Sequence, residues 1–387
     1  MPTAIEIPYI LCILFGCSLI FLSLTRLPLY ASFRKRKPED QETHPYRQAL
    51  SVVIICDTQA ESLRNNLPLF INQDYPDYEI ILVDNNSTDN TRDIIKLAEK
   101  EHKKIRYTYV PQGTRSIHQM KLAVTLGIKS AKNEWVVLTK ADCFPRTPQW
   151  LHRISQKFND DTDAVLGYSN TTVAKGLFSS HTNTDRFIEQ LLAYRIVRNS
   201  GYSFGCDSCN LAFRKSVFIR SGGYGDTLRW LFDNEVLLID RIIPQKRICT
   251  AYLPECTVSQ SNPDFSFSKW STRKTAKTGA YSLCSHKTRF QKCLWWHGGC
   301  IALLLVWGCV VGCGFFYEQN PICLYITSVL TLLYYMAEFY LFNRSRRVMN
   351  EKSRYGGLVF YEFVYPLQQL YFRCSWKRNK RNFTRYI

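Results

Sequence analysis

The chain lacks a glycine-rich phosphate loop. GxGxxG does not follow the first predicted strand, and neither GxxxxGKS nor GxxxxGKT occurs anywhere. The usual dinucleotide oxidoreductase and P-loop designs are therefore disfavoured. No internal repeat and no low-complexity linker is visible. The 15 cysteines show no paired metal spacing. Cys206 and Cys209 form a lone CxxC, so the cysteines read as reduced packing residues rather than zinc ligands. Acidic residues are few, 32 against 50 Lys and Arg, for a formal charge of +18. The excess is clustered at 34–37, 344–354 and 373–385, each beside an apolar segment. That placement reads as membrane topology and not as a nucleic-acid surface.

Length and apolar runs set the organisation. A chain of 387 residues holds one catalytic domain plus extras. Ile7 to Leu24 is apolar apart from two serines and is followed, not preceded, by basic residues, which predicts an anchor rather than a cleaved leader. Leu294 to Tyr317 and Ile322 to Phe342 are two further runs of spanning length, with Glu338 near the far end of the second, within reach of the interface. Tyr355 to Trp376 is aromatic-rich, carries Glu362 and Pro366, and reads as an interfacial helix. Basic flanks place the segment between the anchors in the cytoplasm, at a multi-pass inner membrane. The resulting divisions are 1–33 (anchor), 45–285 (catalytic), 290–345 (hairpin) and 346–387 (basic tail).

Within 45–285 strand-like and helix-like segments alternate. Ser51–Cys56, Glu79–Val83, Arg106–Val110, Trp135–Thr139 and Ala164–Tyr168 are short apolar strands. Helices are predicted over Glu61–Asn72, Thr88–Lys100, Ile117–Ala131 and Pro148–Phe158, the second capped by Ser87 or Thr88. This order predicts an α/β fold with a doubly wound, mostly parallel sheet. Two strands end in an acid as the chain turns, at Asp84 and Asp142. Carboxyl ends of parallel strands line the ligand crevice of such sheets. Two carboxylates there suit a ribose or base contact and a metal-bridged diphosphate, and Lys140 stands where a further acid is expected.

The ordered set SVVIIC, NLPLFINQDYPDYEIILVDNNSTDNT, LAVTLGIKSAKNEWVVLTKADCFPRTPQWL, CNLAFRKSVF and LRWLFDNEVLL resembles the membrane-bound bacterial family-2 glycosyltransferases of GT-A fold. The resemblance covers roughly Ala49 to Tyr281 and implies an inverting transfer from a nucleotide-sugar to a membrane-linked or polysaccharide acceptor. It implies donor contacts from Asp84, Asn86 and the turn at Cys56 and Asp57. Asp142 matches the last acid of the family's DxD-like motif, which implies Mg2+ or Mn2+ on the donor diphosphate. Lys140 replaces the first acid of that motif. It either pairs with a phosphate directly or marks a site that no longer binds donor. The acidic element Asp233-Asn234-Glu235 matches the segment that supplies the general base, and Asn234 falls where relatives carry that base, leaving Asp233 or Glu235 to serve. Asn210 is placed on the acceptor side, and Trp270, Arg273 and Lys274 match a basic loop that contacts the diphosphate or a lipid-linked acceptor. Three departures in one site, at Lys140, at Asn234 and after Trp270, keep a second reading open: a degenerate relative that acts as a scaffold or partner of an active transferase.

Overall fold

The computed structural model describes residues 48–113, 119–172, 176–205, 207–231, 235–261, 266–285, 321–351 and 357–384, with isolated positions between 10 and 30 and Gly308. The chain divides into two compact units, residues 1–35 with 288–371 and residues 36–287 with 372–387.

The second unit is the α/β body. Strand β1 (Leu50–Cys56) and strand β2 (Tyr78–Asp84) are buried at every position, as continuous apolar runs covered on both faces must be. Helix α1 (Ala60–Ile71) connects them, and α2 (Thr91–Glu101), β3 (Ile105–Tyr109), α3 (Gln119–Ser130) and β4 (Trp135–Lys140) follow. Helix α3 lies close on the sheet: a Cβ on Gly127 would stand 2.4 Å from a Val53 methyl. Then come β5 (Cys143–Pro145), α4 (Trp150–Ser155), β6 (Ala164–Gly167), β7 (Ser169–Thr171), α5 (Leu177–Ser200) and β8 (Leu211–Arg214). The body closes with α6 (Lys215–Arg220), α7 (Glu235–Ile242), β9 (Ile248–Ala251), β10 (Val258–Gln260) and α8 (Phe267–Leu283).

The main sheet has the order β3-β2-β1-β4-β8-β6-β9, and a small sheet has the order β5-β10-β7. Strand β8 runs antiparallel to its neighbours β4 and β6, while the other pairs of the main sheet are parallel. The mixed α/β, mostly parallel expectation is met. In register, Cys56 faces Asp84 and Ile55 faces Lys140, so the ends of β1, β2 and β4 form one rim.

Two local expectations change. The helix after β2 begins at Thr91, not Thr88, because 85–90 forms a turn with Asn86 left-handed at φ 58°. Asp89, not Ser87 or Thr88, accepts from the Thr91 amide at 3.0 Å. Helix α4 is shorter than the predicted Pro148–Phe158.

In the first unit, helix α9 (Pro321–Val348) contains the predicted second span. Its Tyr325–Val348 stretch, of mean hydropathy 1.2, is the one described helix long and apolar enough to cross a membrane. Glu338 is fully buried. The predicted span Leu294–Tyr317, apart from Gly308, and most of Ile7–Leu24 lie outside the described residues. Helix α10 (Gly357–Asn379) forms where the aromatic-rich segment was expected to be helical. Its last turns belong to the α/β body, where Phe372 meets the Trp270 ring at 5.3 Å and Trp376 meets Trp230 at 6.0 Å.

Candidate functional site

The crevice is built at the carboxyl ends of β1, β2 and β4. Cys56 is a core residue: its side chain is buried, and burial, then Asp84, pushes its thiol well above the usual range. Its contribution to the rim is its carbonyl, which accepts from the Asn85 amide at 2.8 Å. Asp57 follows in the exposed turn. Partial enclosure raises its carboxyl, with Lys140 opposing that shift and Asp84 adding to it. Asp84, expected to touch a nucleobase or ribose, is fully buried and committed. Its Oδ1 accepts from the Ser87 amide at 2.9 Å and its Oδ2 from Arg92 Nε at 2.7 Å. It therefore shapes the turn that presents Asn86, the role available to an acid sealed under its own loop.

Lys140 ends β4 and is half-buried. Burial opposes its charge, but Cys209, Glu235, Asp207 and Asp142 around it outweigh that and hold the ammonium well above the ordinary lysine range. Among the described residues its Nζ makes no hydrogen bond and no ion pair within 4.0 Å. Asp142 is held by another part of the chain. Its Oδ2 accepts from Gln260 Nε2 at 2.8 Å, and its Oδ1 faces the Cys143 thiol at 3.5 Å. Gln260 Oε1 accepts from Arg186 at 3.2 Å, and Arg186 pairs with Asp207 at 2.6 Å. Burial acts against Asp207, but Arg186 and then Lys140 keep its carboxyl far below the usual carboxylate range.

The chemistry of these donors does not fit the implied Mg2+ or Mn2+. Asp142 is one carboxylate with both oxygens engaged, its neighbour Asp207 belongs to Arg186, and the Lys140 ammonium adds a positive charge near them. No cluster of three or more His, Cys, Asp or Glu able to hold a metal occurs among the described residues. A cation on Asp142 would meet the Lys140 charge, at roughly 4 kcal/mol per unit charge for a 4 Å separation and an effective dielectric near 20.

Glu235 opens α7 and is half-buried with no ion pair among the described residues. Its charge is one of those that favour the Lys140 ammonium. Asp233 and Asn234 lie outside the described residues.

A cavity of about 190 Å³ adjoins this centre, lined by Asp207 and Gln260 on one side and by α5 and α8 on the other. Trp270 and Arg273 line it as expected of a loop near the acceptor, but on a helix rather than a loop. Lys274 also lines it and is already paired, with Asp185 at 2.5 Å and Glu189 at 3.3 Å. Lys277 binds Glu189 at 2.8 Å. Lys274, expected to face a diphosphate or a lipid-linked acceptor, is thus neutralised from α5. Asn210 is not at the cavity. It is buried, takes the Trp150 indole N–H at 3.1 Å and donates to the carbonyls of Tyr168 and Cys256 at 2.8 and 2.7 Å. It ties β8 to its neighbours and has no group left for a ligand.

Sequence reasoning had singled out Lys277 with the basic segment after Trp270, but not Arg186, Asp207, Gln260, Asn183, Asp185 or Glu189. The acid in GCDSCN, just ahead of NLAFRK, was the one available signal.

The sequence profile described as Glycosyl transferase family 2 matches residues 51–221, which span β1 to the end of α6. The chain carries a family 2 glycosyl transferase domain. Part of it is 29% identical over 131 residues to a poly-beta-1,6-N-acetyl-D-glucosamine synthase of Staphylococcus epidermidis, covering 32% of this chain and 30% of that one. A Methanococcus voltae dolichyl N-acetyl-alpha-D-glucosaminyl phosphate 3-beta-D-2,3-diacetamido-2,3-dideoxy-beta-D-glucuronosyltransferase is 30% identical over 98 residues, covering 25% of this chain and 30% of the relative. Each match thus spans less than a third of the relative's length. The transferase domain and its flanks share the fold of a mannosyltransferase of Pyrobaculum calidifontis solved with GDP-Man and Mn2+ (TM-score 0.55, 16% identity, 93% of this chain and 99% of that one).

Proposed function

We propose that the protein is an inverting glycosyltransferase that moves a sugar from a nucleotide-sugar to a saccharide acceptor at a membrane. The observation that carries this reading is Lys140 at the carboxyl end of β4, two residues ahead of Asp142, with the unpaired Glu235 among the acids whose charge acts on it. Similarity to a poly-beta-1,6-N-acetyl-D-glucosamine synthase supports the saccharide acceptor, and the apolar helix Tyr325–Val348 supports the membrane. The donor's nucleoside lies over the turns at Asp57 and Asn86, with its diphosphate toward Lys140. Glu235 or Asp233 accepts the proton of an acceptor hydroxyl as that oxygen bonds to the anomeric carbon. The bond from that carbon to the diphosphate breaks with inversion, and the nucleoside diphosphate leaves with the electron pair.

Charge balance selects the acceptor. Lys274 and Lys277 are spent on Asp185 and Glu189, so the cavity wall has little net charge for a second diphosphate. Asn183 is 8% exposed and its Nδ2 has no partner. Beside Trp270, that combination suits an uncharged, hydroxyl-rich sugar unit. A pure scaffold would have no use for an unpaired carboxylate whose charge acts on Lys140.

The test is calorimetric titration of the purified full chain with UDP-, GDP- and dTDP-sugars. Saturable binding of one class, lost in Asp142→Ala, supports the reading. Silence with all three removes it and brings the scaffold forward.

A further inference from the structure

We propose that Lys140 provides the countercharge for the donor diphosphate, so that nucleotide binding needs no divalent cation. This rests on the donor-site reading above and specifies how that site works.

The position comes first. Lys140 is the last residue of β4, level with Ile55 and two residues ahead of Asp142. It therefore occupies the carboxyl-end rim where a phosphate reaches the sheet. Its lack of a partner comes next. The other cations set into this part of the body are committed: Arg92 to Asp84, Arg186 to Asp207, Lys274 to Asp185 and Glu189, and Lys277 to Glu189. Arg273 is exposed at the cavity, on the acceptor side. Lys140 Nζ alone stands at the rim without a hydrogen bond or ion pair among the described residues. A half-buried ammonium in that state keeps three donors for an incoming anion.

The acids agree with this assignment. A metal ligand set needs free carboxylate oxygens converging on a point. Asp142 instead has Gln260 on one oxygen and the Cys143 thiol near the other, and Asp207 is closed by Arg186, Ser169 and the Cys209 amide. Asp207 is neutralised locally, which leaves Asp142 and Glu235 to steer the ammonium rather than to gather a metal. On phosphate binding, Lys140 contributes fixed positive charge that costs no metal desolvation and stabilises the departing diphosphate.

The experiment uses the full chain in detergent, titrated calorimetrically with UDP, GDP and dTDP in excess EDTA and again with Mn2+. For the nucleotide that binds, affinity with and without metal agrees within about threefold, and Lys140→Gln loses about tenfold or more in both conditions. Lys140→Arg keeps binding, which separates loss of charge from misfolding. Lys140→Asp restores a two-acid motif and binds only when Mn2+ is present. Binding by the native chain that requires Mn2+, or Lys140→Gln binding as the native chain does, overturns the proposal while the donor-site reading stands. No nucleotide binding in either buffer overturns both.

Discussion

Gln260 and Asp142 are joined by a hydrogen bond of 2.8 Å, the amide nitrogen donating to Oδ2. The other end of the same amide accepts from Arg186, so one side chain on the small sheet links the crevice acid to the Arg186–Asp207 pair. Removing it leaves Asp142 free to rotate and Arg186 short of an acceptor. Gln260→Leu should lower kcat/KM for donor by about tenfold, the worth of one hydrogen bond to a charged group. Steady-state transfer assays check this. An unchanged kcat/KM would mean that Asp142 needs no such positioning.

Asp84 acts through its turn, and its loss should appear as instability. Both carboxylate oxygens are used and the group has no exposure. Asp84→Ala should lower unfolding stability by about 2–3 kcal/mol, since two charge-assisted bonds go and the Ser87 amide loses its acceptor. Asp84→Asn retains an acceptor for Ser87 and should cost about half as much. Urea unfolding of the three proteins decides it; equal stability would return Asp84 to the list of direct ligand contacts.

The frame of this site was legible and its charge pairing was not. Strands such as SVVIIC and WVVLTK announce themselves because a strand covered on both faces is a continuous apolar run. The turns after them follow from where those runs stop. The first turns of helix α5 hide because their buried residues include Ser179, Ser180, Thr182, Asn183 and Asp185, and the apolar ones begin only at Phe187, so no apolar period marks its start. Its acids Asp185 and Glu189 meet Lys274 across 89 and 85 residues of sequence, and Gln260 reaches Asp142 across 118. Pairings of that span arise from tertiary contact and leave no local pattern. For the same reason Lys274 and Asn210 read as ligand contacts when their groups are already occupied.

Glu189 gives a pH signature. Burial resists its charge, but Lys274 and Lys277 win and bring its carboxyl down from 4.5 to about 2. In the unfolded chain it protonates near its ordinary value, so its stabilising contribution is complete above about pH 4.5 and is lost as pH falls toward 2. The difference is about 3 kcal/mol. Glu189→Gln should therefore be less stable than the native chain by that order at pH 7, with the gap closing between pH 4.5 and 2. Denaturant melts of both proteins across that range test it. A gap independent of pH would assign the loss to packing.

Lys274 separates a structural cation from a ligand-binding one. Its ammonium lies between Asp185 and Glu189, and they raise its pKa despite burial. Lys274→Met leaves buried negative charge under-compensated and should cost about 3 kcal/mol of stability. Nucleotide affinity, read by calorimetry, should stay within about twofold because the lysine offers no free charge to a diphosphate. A tenfold loss of nucleotide affinity in a stably folded variant would place Lys274 on the donor instead.

Asn183 tests the acceptor side. Its Oδ1 accepts from Thr171 Oγ1 at 2.5 Å, which fixes the amide, and the residue lines the cavity with its Nδ2 buried and unpartnered. A buried donor without an acceptor costs stability unless a ligand supplies one. Asn183→Ala should raise the KM for a saccharide acceptor by about tenfold and leave nucleotide affinity unchanged, since only the acceptor reaches this wall. Asn183→Asp keeps the shape but turns the donor into an acceptor with charge, and should be worse than Ala. If instead Asp and Ala leave the acceptor KM alone, the cavity is not where the sugar chain sits. A variant that weakens nucleotide and acceptor together would show that the cavity belongs to the donor.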